Sequence, residues 1–243
     1  YGICVPEELG GAGLDYVTLA LVLEEIAAGD GGTSTVISVT NCPVNAILLR
    51  YGNAAQKKKW LTPLAQGQML GAFCLTEPHV GSDASALRTT ALKQGGDYVI
   101  NGVKQFITSG KNGDVAIVIA VTDKGAGKRG MSAFIVPTHT PGYQVARLED
   151  KLGQHSSIAA QSVGMARSAL EFAIDYAKQR ESFGAALMQH QAVGFRLADC
   201  ATQLEAARQL IWHAAALRDA GQPCLKEAAM AKLFASEMAE RVC

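Results

Sequence analysis

The chain has 243 residues, enough to bury a sizeable core as one large domain or two or three small ones. Lys plus Arg and Asp plus Glu balance at 22 each, so net charge gives no case for nucleic acid or an anionic membrane as partner. At 49% apolar and 18% charged residues the composition is that of a folded globular protein, and no apolar run is long enough to span a bilayer.

No signal peptide is visible. The six cysteines (Cys4, Cys42, Cys74, Cys200, Cys224, Cys243) are scattered without a Cys-x-x-Cys pair, as expected for buried or free thiols in a reducing compartment. The expected location is the cytoplasm, or the mitochondrial matrix if the source is eukaryotic. The five histidines stand apart from one another at spacings that do not suit a metal site, so no metal is expected.

Residues 1–68 read as helical. Asp15 is placed to cap a helix whose apolar positions Val17, Leu21, Ile26, Ala27 and Ala28 recur at helical spacing. The glycines from Gly29 to Gly32 should break it, with Thr33 or Ser34 opening the next helix, which runs through Leu48 to Arg50. Gly52-Asn53 stops that one, and Asn53 can cap a short helix through Lys57 and Trp60 that ends before Pro63.

From Met69 to residue 157 the pattern changes to short β-branched runs between turn signals. Met69–Leu75 is an apolar strand. Tyr98-Val99-Ile100, Asn101-Gly102 and Val103–Thr108 give the strongest hairpin signal in the chain. Val115–Thr122 has strand length, Lys124–Gly130 is a glycine-containing turn, and Met131–Val136 is the expected partner strand.

Residues 158–243 are helical again. Val163, Ala166, Leu170, Ala173, Ile174 and Ala177 mark one apolar face of a long helix, with Ser157 an acceptable cap. Gln189–Arg218 makes a second, and Gly221 with Pro223 separates it from a third, Leu225–Val242. Long helices with short links predict an antiparallel bundle. The fold class is therefore α+β, with three domains: 1–68 helical, 69–157 all-β, and 158–243 a helical bundle.

One stretch carries more information than the rest. Phe73-Cys74-Leu75-Thr76-Glu77-Pro78-His79-Val80-Gly81-Ser82-Asp83 ends an apolar strand in a loop of Pro, Gly, Ser and Asp. Such a loop leaves backbone N–H groups and small hydroxyls available to a ligand. Taken singly, Thr76, Ser82 and Thr108 would be ordinary strand-end or turn residues, Arg180 a solvated charge, and Phe106 and Phe183 core residues.

The whole string closely resembles the flavin-binding signature of the acyl-CoA dehydrogenases. Lys104-Gln105-Phe106-Ile107-Thr108 is similar to the family's aromatic-Ile-Thr strand beside the flavin ring, with Phe106 where many members have Trp. Arg180-Glu181-Ser182-Phe183-Gly184, followed by His190-Gln191, matches a third segment. Tyr1-Gly2 through Pro6-Glu7-Glu8-Leu9-Gly10-Gly11-Ala12-Gly13 matches an N-terminal one.

The resemblance implies an N-terminal helical domain, a middle β-barrel or sandwich and a C-terminal helical bundle, each expected to be incomplete in this chain. It implies FAD as cofactor and an acyl-CoA as substrate, with electrons passed to an electron-transfer flavoprotein. It implies that Phe73, Leu75, Thr76, Phe106, Ile107 and Thr108 line the flavin, and that Ser82 contacts both cofactor phosphate and substrate. Arg180, Phe183 and Gln191 would reach the FAD of a neighbouring subunit in a homo-oligomer, most simply a tetramer. Glu77 would belong to the loop and not act as base. The family's base lies after the third helical stretch, or on a helix before the one starting near Ile158. The chain stops at Cys243 and runs directly from Ser157 to Ile158, so no catalytic residue is assigned. An acyl-CoA oxidase and a non-catalytic flavin-binding relative are the competing readings, and acyl-chain length is not legible.

Overall fold

A computed structural model describes residues 1–148 and 159–243. The expected cap at Ser157, the helix start at Ile158 and the join after Lys151 lie outside the described residues. In chain order the helices are α1 (Tyr16–Gly29), α2 (Gly31–Val39), α3 (Ala46–Tyr51), α4 (Ala54–Gln56) and α5 (Thr62–Ala65). The strands β1 (Gly71–Cys74), β2 (Thr90–Gln94), β3 (Asp97–Asn101), β4 (Val115–Val121) and β5 (Met131–Pro137) follow. Then come α6 (Ala159–Gln179), the short strands β6 (Glu181–Ser182) and β7 (Ala185–Ala186), α7 (Gln191–Asp219) and α8 (Leu225–Val242). By compactness the described residues 1–13 and 39–148 group together, and so do 14–38 and 159–243.

Short polar side chains set the helix ends. Asp15 caps α1 as expected, its Oδ1 accepting the Thr18 N–H at 2.7 Å. The next helix begins at Gly31 and not at Thr33 or Ser34. Asp30 is the reason: its Oδ1 accepts the N–H groups of Gly32 and Thr33 at 2.6 and 3.0 Å, so one residue ends α1 and caps α2. Asn53 and Gln56 form a reciprocal capping box, each side chain accepting the other's N–H at 2.9 Å. The helical path then runs past Pro63 to Ala65. A π-turn over Lys57–Leu61 precedes it, and Pro63 falls in the first turn of α5, where a missing N–H is tolerated.

In the first unit β4 is the shared strand. It pairs in parallel with β1 (Gly71 opposite Val115, Cys74 opposite Val118), antiparallel with β5 along its whole length, and with β2 at Val121. Successive side chains point to opposite faces. Val115 and Ile117 pack with Val5, Val44, Leu48, Leu61, Leu64 and Ala65 on one side. Ala72, Cys74, Ala116 and Val118 meet Ile100, Ile107, Val136 and Tyr143 on the other. Each fully buried Leu of this core contributes roughly 1.5–3 kcal/mol.

The expected hairpin at 98–108 does not form. β3 pairs backward with β2 through Gly95-Gly96, with Gln94 opposite Asp97. Gly95 at φ +62° supplies the backbone that such a tight reversal needs. Gly102 serves close approach instead: a Cβ there would lie 2.2 Å from the Thr89 Oγ1 and 2.7 Å from its Cα. Residues 103–108 are held by other bonds, described below.

In the second unit α1 packs on α6 and α7, and α6, α7 and α8 pack on one another. Gly164 of α6 lets α1 come close, since a Cβ would sit 2.2 Å from the Glu24 carbonyl oxygen. Beside this contact the Glu24 side chain, only 6% exposed, takes the Arg208 Nη2 at 2.7 Å and the Arg167 Nη1 at 3.4 Å. Arg167 also forks onto Glu25 at 2.6 and 2.8 Å. No local pattern in the sequence announces this network.

Removing one partner of a buried pair strands the other charge. Arg208→Ala should lower unfolding stability by about 3 kcal/mol, toward the low end for buried pairs because Arg167 remains. Urea denaturation measures it, and a loss below about 1 kcal/mol would show that the network is not a buried anchor.

Candidate functional site

The end of β1 is built as a three-way tie. The chain reverses at Glu77-Pro78-His79-Val80, where Glu77 and Val80 exchange two backbone hydrogen bonds of 3.0 Å. The Glu77 side chain is 1% exposed, and its two oxygens accept the Arg88 N–H at 2.8 Å, the Thr89 N–H at 3.0 Å and the Lys104 Nζ at 2.9 Å. Lys104 Nζ also donates to the Leu75 carbonyl at 2.9 Å, and the Gln105 N–H donates to the Thr76 carbonyl at 2.9 Å. Thus the segment 104–108, expected as a strand, is drawn alongside the loop 75–77 by these bonds. Two stretches separated by more than twenty residues become one surface.

Burial alone would raise the Glu77 carboxyl, but the hydrogen bonds from Thr89, Arg88 and Lys104 outweigh it and hold it at about 2. Glu77 is a fastener of the loop and unsuited to accept a proton at neutral pH.

The candidate residues of this unit divide by orientation. Phe73 packs its ring into the core with Val115 and Ile117, and Ile107 packs into the opposite face of the sheet. Leu75, Thr76 and Thr108 are half-buried, whereas Ser82 and Phe106 are exposed. Among the described residues the hydroxyls of Thr76, Ser82 and Thr108 make no hydrogen bond, so they are open to a ligand. Phe106 stands 57% exposed at φ +57°. A bulky residue in the left-handed region costs roughly 1–3 kcal/mol and persists only where its surroundings hold it. The Lys104 and Gln105 bonds immediately before it do so.

Arg180, Phe183 and Gln191 belong to the second unit. β6 and β7 pair Glu181 with Ala186 and Ser182 with Ala185, leaving Phe183-Gly184 as a two-residue loop that the sequence did not announce. Both loop residues have positive φ, +52° and +78°, the mirror-image turn that Asn-Gly usually makes. Phe183 there is 99% exposed. His190, which received no role from the sequence, fastens this turn. Its Nε2 lies 3.0 Å from the Ser182 carbonyl, and its ring meets Phe183 edge-on at 6.4 Å. Gln191 is exposed as the first residue of α7. The exposed Arg180 guanidinium has no ion-pair partner among the described residues. No group of three or more metal-ligating side chains occurs among the described residues.

Because the folded Glu77 carboxyl sits at about 2, below its ordinary 4.5, it contributes stability that is present above 4.5 and lost as pH falls toward 2. The advantage of the native protein over Glu77→Gln should therefore shrink between pH 4.5 and 2. Urea midpoints for both proteins at several pH values measure this, and a difference that does not change with pH would contradict it.

Three family models match the chain. They are the acyl-CoA dehydrogenase N-terminal domain over residues 1–68, the middle domain over 72–166 and the C-terminal domain over 154–243. An acyl-CoA dehydrogenase of Bacillus subtilis (strain 168) is 44% identical over 277 positions, covering 98% of this chain and 73% of the relative. The human mitochondrial short-chain specific acyl-CoA dehydrogenase is 41% identical over 276 positions, covering 98% of this chain and 67% of the relative. Both alignments are longer than the 243 residues here, so within the aligned span the relatives carry residues this chain lacks.

Among solved structures, one described as an electron transferring flavoprotein of Acidaminococcus fermentans superposes with a TM-score of 0.96 at 40% identity, covering 99% of this chain and 73% of that one. The butyryl-CoA dehydrogenase of Megasphaera elsdenii gives 0.95 at 37%, covering 99% and 74%. A glutaryl-CoA dehydrogenase from Mycobacterium smegmatis in complex with FADH2 gives 0.92 at 30%, covering 99% and 70%. The helical, β and helical stretches, the tied loop at Leu75–Glu77 and these matches agree: the chain belongs to the acyl-CoA dehydrogenases, oxidoreductases that act on acyl-CoA.

Proposed function

We propose that this chain catalyses flavin-dependent α,β-dehydrogenation of an acyl-CoA thioester to the trans-2-enoyl-CoA and passes the electrons to an electron-transfer flavoprotein. The observation that carries the reading is the joining of the loop 75–77 to segment 104–108, which brings the unengaged hydroxyls of Thr76 and Thr108 and the exposed Phe106 onto joined segments of one unit. Those groups suit FAD: Thr76 and Thr108 offer hydroxyl donors to a ring's polar edge, Phe106 a flat apolar contact, and Ser82 in its small-residue loop a partner for phosphate or substrate. FAD, when bound, supplies the acceptor for the hydride leaving the β-carbon. The chain's own residues bind and orient cofactor and thioester. No residue is assigned to take the α-proton, and Glu77, held by three donors, is not that residue.

The domain division proposed is 1–68, 69–157 and 158–243, which the three family matches support. A short acyl chain is the first substrate to test, since two of the similar proteins are named for short chains. Among the described residues no helix is long and apolar enough to cross a membrane. The location proposed is the cytoplasm, or the mitochondrial matrix in a eukaryote, and the role is in fatty-acid or amino-acid catabolism.

Arg180, Phe183 and Gln191 are exposed, and we take them as the share given to a neighbouring subunit's FAD in a closed homotetramer. A guanidinium with no ion pair and a fully presented aromatic on a strained turn support that assignment.

The folded protein should take up FAD and be bleached anaerobically by a short-chain acyl-CoA, then be reoxidised by an electron-transfer flavoprotein. Folded protein with no flavin uptake would sink the proposal, and peroxide formation with oxygen alone would favour an acyl-CoA oxidase. Ser82→Ala should weaken FAD or substrate binding by about 1.5–3 kcal/mol, the worth of a hydrogen bond to a charged group. Unchanged affinity for both would remove Ser82 from the site. Arg180→Glu should lower FAD retention, and sedimentation of a stable monomer that still holds FAD tightly would contradict the shared site.

A further inference from the structure

We propose that Lys104 is a positioning residue that raises the reduction potential of the bound flavin through the Leu75–Thr76 peptide, with Glu77 as its electrostatic counterweight. The inference rests on the flavin reading above and deepens it by assigning two side chains outside the expected contact set.

The geometry goes beyond what a structural tie requires. The Glu77 carboxylate already accepts two backbone N–H groups, from Arg88 at 2.8 Å and Thr89 at 3.0 Å. Lys104 adds one bond to that carboxylate and spends a second on a backbone carbonyl, that of Leu75, both at 2.9 Å. That carbonyl belongs to the same peptide unit as the Thr76 N–H. A cation bonded to a peptide oxygen draws density from the amide and strengthens its N–H as a donor, and hydrogen bonds in series reinforce one another.

The Lys104 side chain is 11% exposed and that of Glu77 1%, so solvent screens the pair weakly. The Thr76 carbonyl is fixed in turn by the Gln105 N–H at 2.9 Å, so the peptides on both sides of Thr76 are immobilised by consecutive residues of one segment. A group facing this peptide meets a preorganised positive end. Two-electron reduction places negative charge on a flavin, and that end stabilises the reduced form. The carboxylate opposes this field, which is why the two members of the pair act with opposite sign.

The sign difference gives the test. In FAD-loaded protein, Lys104→Met should shift the oxidised-to-reduced ratio at fixed potential at least tenfold toward the oxidised form. For a two-electron couple that is about 30 mV more negative. Glu77→Gln should move the potential the other way, Lys104→Arg should hold it near the native value, and the double variant Lys104→Met with Glu77→Gln should return toward it. FAD stoichiometry is measured on every variant.

Should Lys104→Met fail to fold, Glu77→Gln and the double variant, which leaves no buried charge behind, carry the measurement. Unchanged potential in Lys104→Met, or shifts of one sign in both single variants, would reduce the pair to a structural fastener. If Lys104→Met does not fold, a Glu77→Gln potential that is unchanged or more negative has the same meaning. Native protein that takes up no FAD would overturn the flavin reading itself, and this inference with it.

Discussion

The buried carboxylate of Glu77 is the constraint on which the candidate site depends. A charge that is 1% exposed is tolerable only when its lone pairs are filled, and here a lysine and two backbone amides fill them. The three donors come from residues 88, 89 and 104, so satisfying one side chain brings three stretches of chain together. The turn at Pro78-His79, the entry to β2 and the segment leading to Phe106 are placed by the same bonds. A loop of Pro, Gly, Ser and Asp acquires a fixed shape from one buried charge.

Strain in this molecule gathers where the tie and its counterpart present aromatic rings. Among the described residues three non-glycine residues have positive φ, and two of them are Phe106 and Phe183. Neither gains burial in return, since they stand 57% and 99% exposed. Both are braced from the side, by Lys104 and Gln105 in one case and by His190 in the other. A side chain kept in an unfavourable backbone state and left facing outward fits a role in contact with something other than its own core.

The two units solve the burial of charge in the same manner with different elements. Glu24 is held by guanidinium groups on α6 and α7, and Glu77 by an ammonium and two loop amides. Neither pair is needed to make a helix or a strand. Each fixes which elements meet, because an apolar stripe permits sliding and a buried charge with directed donors does not.

The sequence alone carries the order of helical, β and helical stretches, because apolar periods of 3.6 and 2 are written locally. It also carries the caps at Asp15 and Asn53, and the motif strings that tie the chain to its family. What failed were choices between near neighbours. Asp30 took the cap in place of Thr33 or Ser34, Pro63 was taken into the first turn of α5, and Gly95-Gly96 made the hairpin that Asn101-Gly102 advertised. Tertiary structure alone decided that Phe73 and Ile107 turn into opposite faces of the sheet, that Glu24 and Glu77 are buried, and that Lys104 bonds to two acceptors. Such facts depend on atoms distant in sequence meeting at about 3 Å, and no local pattern encodes which distant donor will fill a carboxylate.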